Sequence, residues 1–155
     1  MRVETQLEVS LYGFSGMANQ TIDGKGRISI PVKLIRALHE AFVVTEGAYA
    51  RCLVIYPIST WQAKGQVLAQ VPASDAAAQK AIRRMFATAL SCDVDNSGRI
   101  QLTDHLRSYA RLDKDIIIIG ANNRVEIWAK EIWDEVMTED LDTEADLSSL
   151  SAYGI

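Results

Sequence analysis

A chain of 155 residues, 48% apolar and 23% charged, has material for one well-filled core and not for two large independent domains. Its formal charge of −4 argues against a general nucleic-acid or membrane binder, yet the imbalance is local: residues 1–137 carry 16 Lys and Arg against 15 Asp and Glu, while TEDLDTEADLSSLSAYGI (138–155) carries five acids and no base. A locally basic surface on the body therefore remains open.

Cys52 and Cys92 form no CxxC pair, and His39 and His105 lie far from both in sequence, so neither a zinc site nor a disulfide framework is expected, and no cofactor. No basic-then-apolar leader opens the chain, and its longest wholly aliphatic run, IIII (116–119), is far short of a membrane span. A cytoplasmic location without a membrane partner is the expectation.

In chain order, ANQTI (18–22) reads as a short strand meeting the tight-turn signal DGKG, after which RISI (27–30) alternates polar with apolar as a half-buried strand requires. Pro31 suits the first turn of a helix with Leu34, Ile35 and Leu38 on one face. FVVTE (42–46) and CLVIYP (52–57) follow as a β-hairpin, and STWQAKG (59–65) as a short helix. SDAAAQKAIRRMFATALS (74–91) repeats Ile82, Met85, Phe86, Ala89 and Leu90 at helical spacing. It is expected to be an amphipathic linker helix, with Lys80, Arg83 and Arg84 toward water or a partner; a solvated basic side is a commoner use of such a face than direct contact with nucleic acid. The order then recurs: a DNSG turn, RIQL (99–102), Thr103 as N-cap of DHLRSYA, the strands IIIIG (116–120) and VEIWA (125–129), and the helix KEIWDEV (130–136).

The recurrence is a repeat of period 72. It matches Asp23 with Asp95, Gly26 with Gly98, Arg27 with Arg99, Ile28 with Ile100, Leu34 with Leu106, Ile55 with Ile127 and Trp61 with Trp133. The gapless offset slips locally across FVVTE and CLVIYP against IIIIG and VEIWA, so the loop lengths are expected to differ. The shared tryptophans read as equivalent core anchors of the two halves.

DVDNSGRIQLTD (93–104) also approaches a calcium loop, with Asp93, Asp95, Ser97 and Asp104 at positions one, three, five and twelve and Gly98 at six. The twin copy rejects it. Thr21 stands where Asp93 does, Lys25 stands where Ser97 does, and a cation there repels calcium. Both copies keep D-x-x-G-R: Asp23, Lys25, Gly26 and Arg27 in one, Asp95, Ser97, Gly98 and Arg99 in the other. A glycine-rich turn ending in arginine lets the backbone approach a phosphate, and Arg can fork onto phosphate oxygens or read guanine. On spacing alone it reads equally as a hairpin turn closed by an internal Asp–Arg pair.

TIDGKGRISIPVKLIRAL (21–38) resembles the swapped-hairpin DNA-binding modules of the SpoVT-AbrB type. FSGMANQ (14–20) through the tail resembles the MraZ family of bacterial regulators of the division and cell wall gene cluster, on the two Asp–Arg motifs, CLVIYPISTW, the arginine-bearing linker and VEIWAKEIWDE. The resemblance implies an α+β fold of two tandem βαββα half-modules, 17–64 and 93–136, forming a pseudo-dimeric barrel joined by a helical linker over 65–92. Residues 1–13 are then an N-terminal extension and 137–155 an acidic tail. It also implies a ring-shaped homo-oligomer on double-stranded operator DNA carrying direct repeats, with Asp23, Lys25, Gly26, Arg27, Asp95, Ser97, Gly98 and Arg99 at the DNA. Thr103 and Ser97 replace the proline and lysine of the first copy, which makes the first turn the stronger binder. An antitoxin-like protein-binding module is the alternative. No Ser/His/Asp or Cys/His arrangement supports an enzyme or a small-molecule substrate.

Overall fold

The computed structural model describes residues 8–10, 13–38, 41–48, 50–138 and 149–154. Most of the expected extension and tail, residues 1–7, 11–12 and 139–148, and His39 lie outside the described residues. A hairpin of β1 (Glu8–Ser10) and β2 (Gly13–Ser15) leads in. The first repeat supplies β3 (Met17–Thr21), β4 (Arg27–Ser29), α1 (Val32–Leu38), β5 (Phe42–Glu46), β6 (Leu53–Pro57) and α2 (Ile58–Leu68). After α3 (Ala76–Thr88) come β7 (Leu90–Cys92), β8 (Arg99–Gln101), α4 (Asp104–Tyr109), β9 (Asp115–Gly120), β10 (Val125–Ala129), α5 (Lys130–Thr138) and a 3-10 helix, Ser149–Tyr153.

The two repeats exchange strands. An antiparallel six-stranded sheet has the order β3-β9-β10-β6-β5-β7, so the first strand of each repeat, β3 or β7, pairs with the hairpin of the other repeat. A separate ladder joins β4 to β8 and sets Ile28 opposite Ile100. At the centre Ile55 faces Val125 and Leu53 faces Ile127, the arrangement a two-fold axis relating the repeats demands. The expected slip of the repeat is visible in the loops. Between short helix and hairpin the first copy has residues 39–41 and the second 110–114, while the hairpin loops are 47–52 and 121–124, so the second copy gains two residues and then loses two.

Both faces of the large sheet are covered, which is why Ile116–Ile119 shows no polar alternation. Ile116 and Ile118 join Val44, Leu53, Ile55 and Ile127 in the main core beneath β4, β8, α1 and α4, with Ile28, Leu34, Ile100 and Leu106 also wholly buried there. Ile117 points the other way, with Cys52, Val54, Tyr56 and Trp128, toward α2, α3 and α5. Burial holds both Cys52 and Cys92 thiols at about 12.

Four expectations need adjustment. Trp61 and Trp133 occupy equivalent positions but are only half-buried on the outer face, Trp61 against Tyr56 and Phe86, Trp133 against Trp128. The helix carrying Trp61 continues to Leu68, and the linker helix stops at Thr88 because Ala89 turns extended. Leu90, read from its spacing as helical, lies in β7, where ladder bonding to Val44 outweighs local propensity. Arg84 is not simply solvated: its Nε donates to both oxygens of the buried Glu46 carboxylate at 2.8 and 3.2 Å.

Candidate nucleic-acid interface

Each D-x-x-G-R segment folds into a three-residue loop ending in a left-handed glycine, Gly26 at φ +78° and Gly98 at φ +76°, a conformation glycine adopts without penalty. In the first, Asp23 Oδ1 accepts the N–H groups of Lys25 and Arg27, both at 2.9 Å, while the Gly26 N–H donates to the Asp23 carbonyl at 3.0 Å. In the second, Asp95 Oδ1 accepts from Ser97 at 2.8 Å and Arg99 at 2.9 Å, and the Gly98 N–H donates to the Asp95 carbonyl at 3.0 Å. The aspartate is thus the internal template of the turn. The N–H of Arg27 is the largest influence on Asp23, and with the Arg27 side chain and the Lys25 N–H it brings the carboxyl down to about 2; Asp95 is lowered chiefly by the Arg99 N–H.

This geometry also replaces the calcium reading. Residues 93–104 run turn, strand and helix start, with Asp95 Oδ1 engaged by two backbone N–H groups, Arg99–Gln101 in β8 and Asp104 opening α4. A calcium loop runs between two helices.

The β4–β8 ladder brings the turns together. Ile28 and Ile100 point into the core, so Arg27, Ser29, Arg99 and Gln101 share the outward face, Arg27 opposite Gln101 and Arg99 opposite Ser29. Arg27 Nε donates to Asp23 Oδ2 at 2.7 Å, whereas Arg99 spans both motifs, its Nε 3.5 Å from Asp95 Oδ2 and its Nη1 3.9 Å from Asp23 Oδ2. Each turn is also tied to the opposite repeat: Leu102 N–H donates to the Gly26 carbonyl at 2.9 Å, and Ile30 N–H to the Gly98 carbonyl at 2.8 Å. The arginines are therefore mounted on a ladder rather than on free loops. All eight expected residues are in these two turns.

One cation at this surface had no role assigned from sequence. A Cβ on Gly26 would meet Arg107 Cζ and Nε at 2.8 Å, so the Arg107 side chain from α4 of the second repeat lies against the turn of the first. Its counterpart at offset 72 is Ile35, whose Cδ1 would lie 3.6 Å from a Cβ on Gly98. Repeat matching could not find Arg107, because it is a position where the copies differ. A second polar cluster was also unread. Glu46 holds Arg84 and has His105 Nε2 at 3.6 Å, and the Tyr109 hydroxyl donates to the Gly47 carbonyl at 2.7 Å beneath the Arg51 and Arg84 guanidinium groups, fastening α3 and α4 to the end of β5.

The family model described as "MraZ protein, putative antitoxin-like" matches the chain twice, over residues 14–84 and 85–151. The chain belongs to the MraZ family. Among its relatives, the protein named Transcriptional regulator MraZ of Moorella thermoacetica is 40% identical over 129 residues, 83% of this chain and 90% of that one. The same-named proteins of Caldanaerobacter subterraneus and Pediococcus pentosaceus are 42% and 40% identical over 120 and 126 residues, covering 77% and 81% of this chain and 83% and 87% of theirs. The two MraZ matches meet inside α3, between Arg84 and Met85, so that α3 is shared between the repeats. Among the described residues no helix is long and apolar enough to cross a membrane.

Proposed function

We propose that this protein is a non-enzymatic, double-stranded DNA-binding transcriptional regulator, a repressor of the division and cell wall gene cluster. It acts in the cytoplasm at the nucleoid. One observation carries the reading: two turns with the same hydrogen-bond pattern present Arg27 and Arg99 on one outward face of a rigid ladder. The relatives' shared name, Transcriptional regulator MraZ, supports it. The residues at the DNA are Asp23, Lys25, Gly26, Arg27, Asp95, Ser97, Gly98 and Arg99. The arginines and Lys25 contact phosphate or base edges, and the aspartates and glycines hold the turns that aim them.

The half-modules, 17–64 and 93–136, with the linker over 65–92, close into a SpoVT-AbrB-type pseudo-dimeric barrel. Two small basic turns bind weakly alone, so subunits assemble head to tail into a ring and engage successive direct repeats, which raises their effective concentration. The test is fluorescence anisotropy with duplexes carrying one or three direct repeats, selected by the protein from random sequence, against scrambled duplexes. The expected result is affinity that grows with repeat number and is lost in Arg27→Ala with an unchanged circular dichroism spectrum, one bidentate contact being worth roughly 1–3 kcal/mol per site. Equal affinity of Arg27→Ala and the parent would overturn the assignment and leave the antitoxin-like reading. Equal affinity for one and three repeats would overturn the ring.

A further inference from the structure

Resting on that reading, we propose that Arg107 is a third DNA-contacting cation of the first turn and that each subunit consequently grips DNA through one strong and one weak half. The side chain of Arg107 lies directly against Gly26, the position where any Cβ would collide with it. It reaches the glycine that separates Lys25 from Arg27 in sequence, although it comes from the opposite repeat. The two-fold arrangement gives each turn a bracing helix from the other repeat, and the brace at the second turn is Ile35 of α1. One turn therefore carries Lys25, Arg27 and Arg107, and the other carries Ser97, Arg99 and hydrocarbon.

Arg107 is available for a phosphate. Its ion pair is with Asp104 one helical turn earlier, whose side chain is 93% exposed, so the pair is screened by water and readily exchanged. The Arg107 side chain keeps 28% of its surface exposed; its Nε is shielded from solvent and has no acceptor among the described residues, so the donors that can reach a phosphate are those of the terminal Nη groups. A planar guanidinium against a glycine turn can present two parallel N–H donors to a phosphate approaching the same backbone. Placing the extra cation at one turn gives the subunit a polarity on the duplex, which suits direct repeats, where every subunit meets its site in the same orientation.

The experiment exchanges the two braces and reads the salt dependence of binding to a duplex selected from random sequence by the parent protein. Arg107→Ile should weaken binding several-fold and make the slope of log affinity against log salt shallower by about 0.9, one phosphate contact. Ile35→Arg should steepen the slope by about the same amount, and the double exchange should restore it. Arg107→Gln, scored beside Arg107→Ile with thermal melts of each, separates loss of charge from loss of packing. Parental slopes in Arg107→Ile and Arg107→Gln, with binding abolished in Arg27→Ala, would overturn the role of Arg107 and leave the functional reading standing. Parental binding in Arg27→Ala as well would overturn both.

Discussion

Ile28 and Ile100, identical residues 72 positions apart, lie opposite each other in the β4–β8 ladder, and both are almost completely buried. They fix the outward direction of Arg27 and Arg99, because neighbours along a strand point to opposite faces. Replacing either isoleucine with alanine should cost about 2–5 kcal/mol, and the double replacement less than twice that, since the cavities merge. Urea unfolding of the three variants checks this, and strict additivity would contradict the shared core.

The glycines of the first turn should separate cleanly. Gly26 has φ +78° and the Arg107 side chain on it, while a Cβ on Gly24 meets nothing within 4 Å. Gly26→Ala should cost about 1–2 kcal/mol for the left-handed backbone alone, before the displacement of Arg107, and Gly24→Ala should be near neutral or slightly stabilising. Thermal melts of the two variants are the measurement. Equal losses would mean that the turn is not held as described.

Asp23 links the turn to pH. Its carboxyl is depressed from an ordinary 3.8 to about 2, so the ionised form is the one the fold prefers. Its contribution is complete above the unfolded value and disappears as pH falls from roughly 4 toward 2. The contribution is small at so exposed a site. Asp23→Asn should remove that part of the acid dependence and leave stability flat between pH 6 and 8, within about a tenth of the total. Urea midpoints over an acid series decide it, and an unaltered acid limb in the variant would mean that other carboxylates account for it.

Trp61 and Trp133 should tolerate replacement better than core residues. Each is half-buried against aromatic neighbours, Trp61 with Phe86 at 4.8 Å between ring centres and Trp133 with Trp128 at 5.6 Å. Alanine at either site should cost less than the roughly 3–5 kcal/mol of a fully buried tryptophan. Chemical denaturation reads the cost, and a loss above that range in both would show that the outer layer is as tightly packed as the main core.

Local chemistry was legible residue by residue. Asp23 and Asp95 accept N–H groups two and four positions on, Gly26 and Gly98 supply a left-handed residue, and Thr103 caps α4 by accepting from Leu106; all of these contacts lie within a five-residue window, where the chain itself determines who can meet. The repeat was legible too, down to the slip that the loops of 110–114 and 121–124 account for. Which strand pairs with which was not legible from the residues themselves, and only the resemblance to swapped-hairpin modules pointed to an exchange. An alternating strand buries the same face against its own hairpin or its twin's, so only the assembled sheet decides that β3 joins β9 and β7 joins β5. That exchange carries α4 over the first turn and α1 over the second, putting Arg107 on Gly26 and Ile35 on Gly98. Glu46 beneath Arg84 and the half-exposure of the two tryptophans have the same origin, because the depth of a residue depends on elements far away in sequence. Spacing along the chain determines the shape of each basic turn, and packing across the two-fold determines how much charge it carries, since charge gathers from every element that reaches the site.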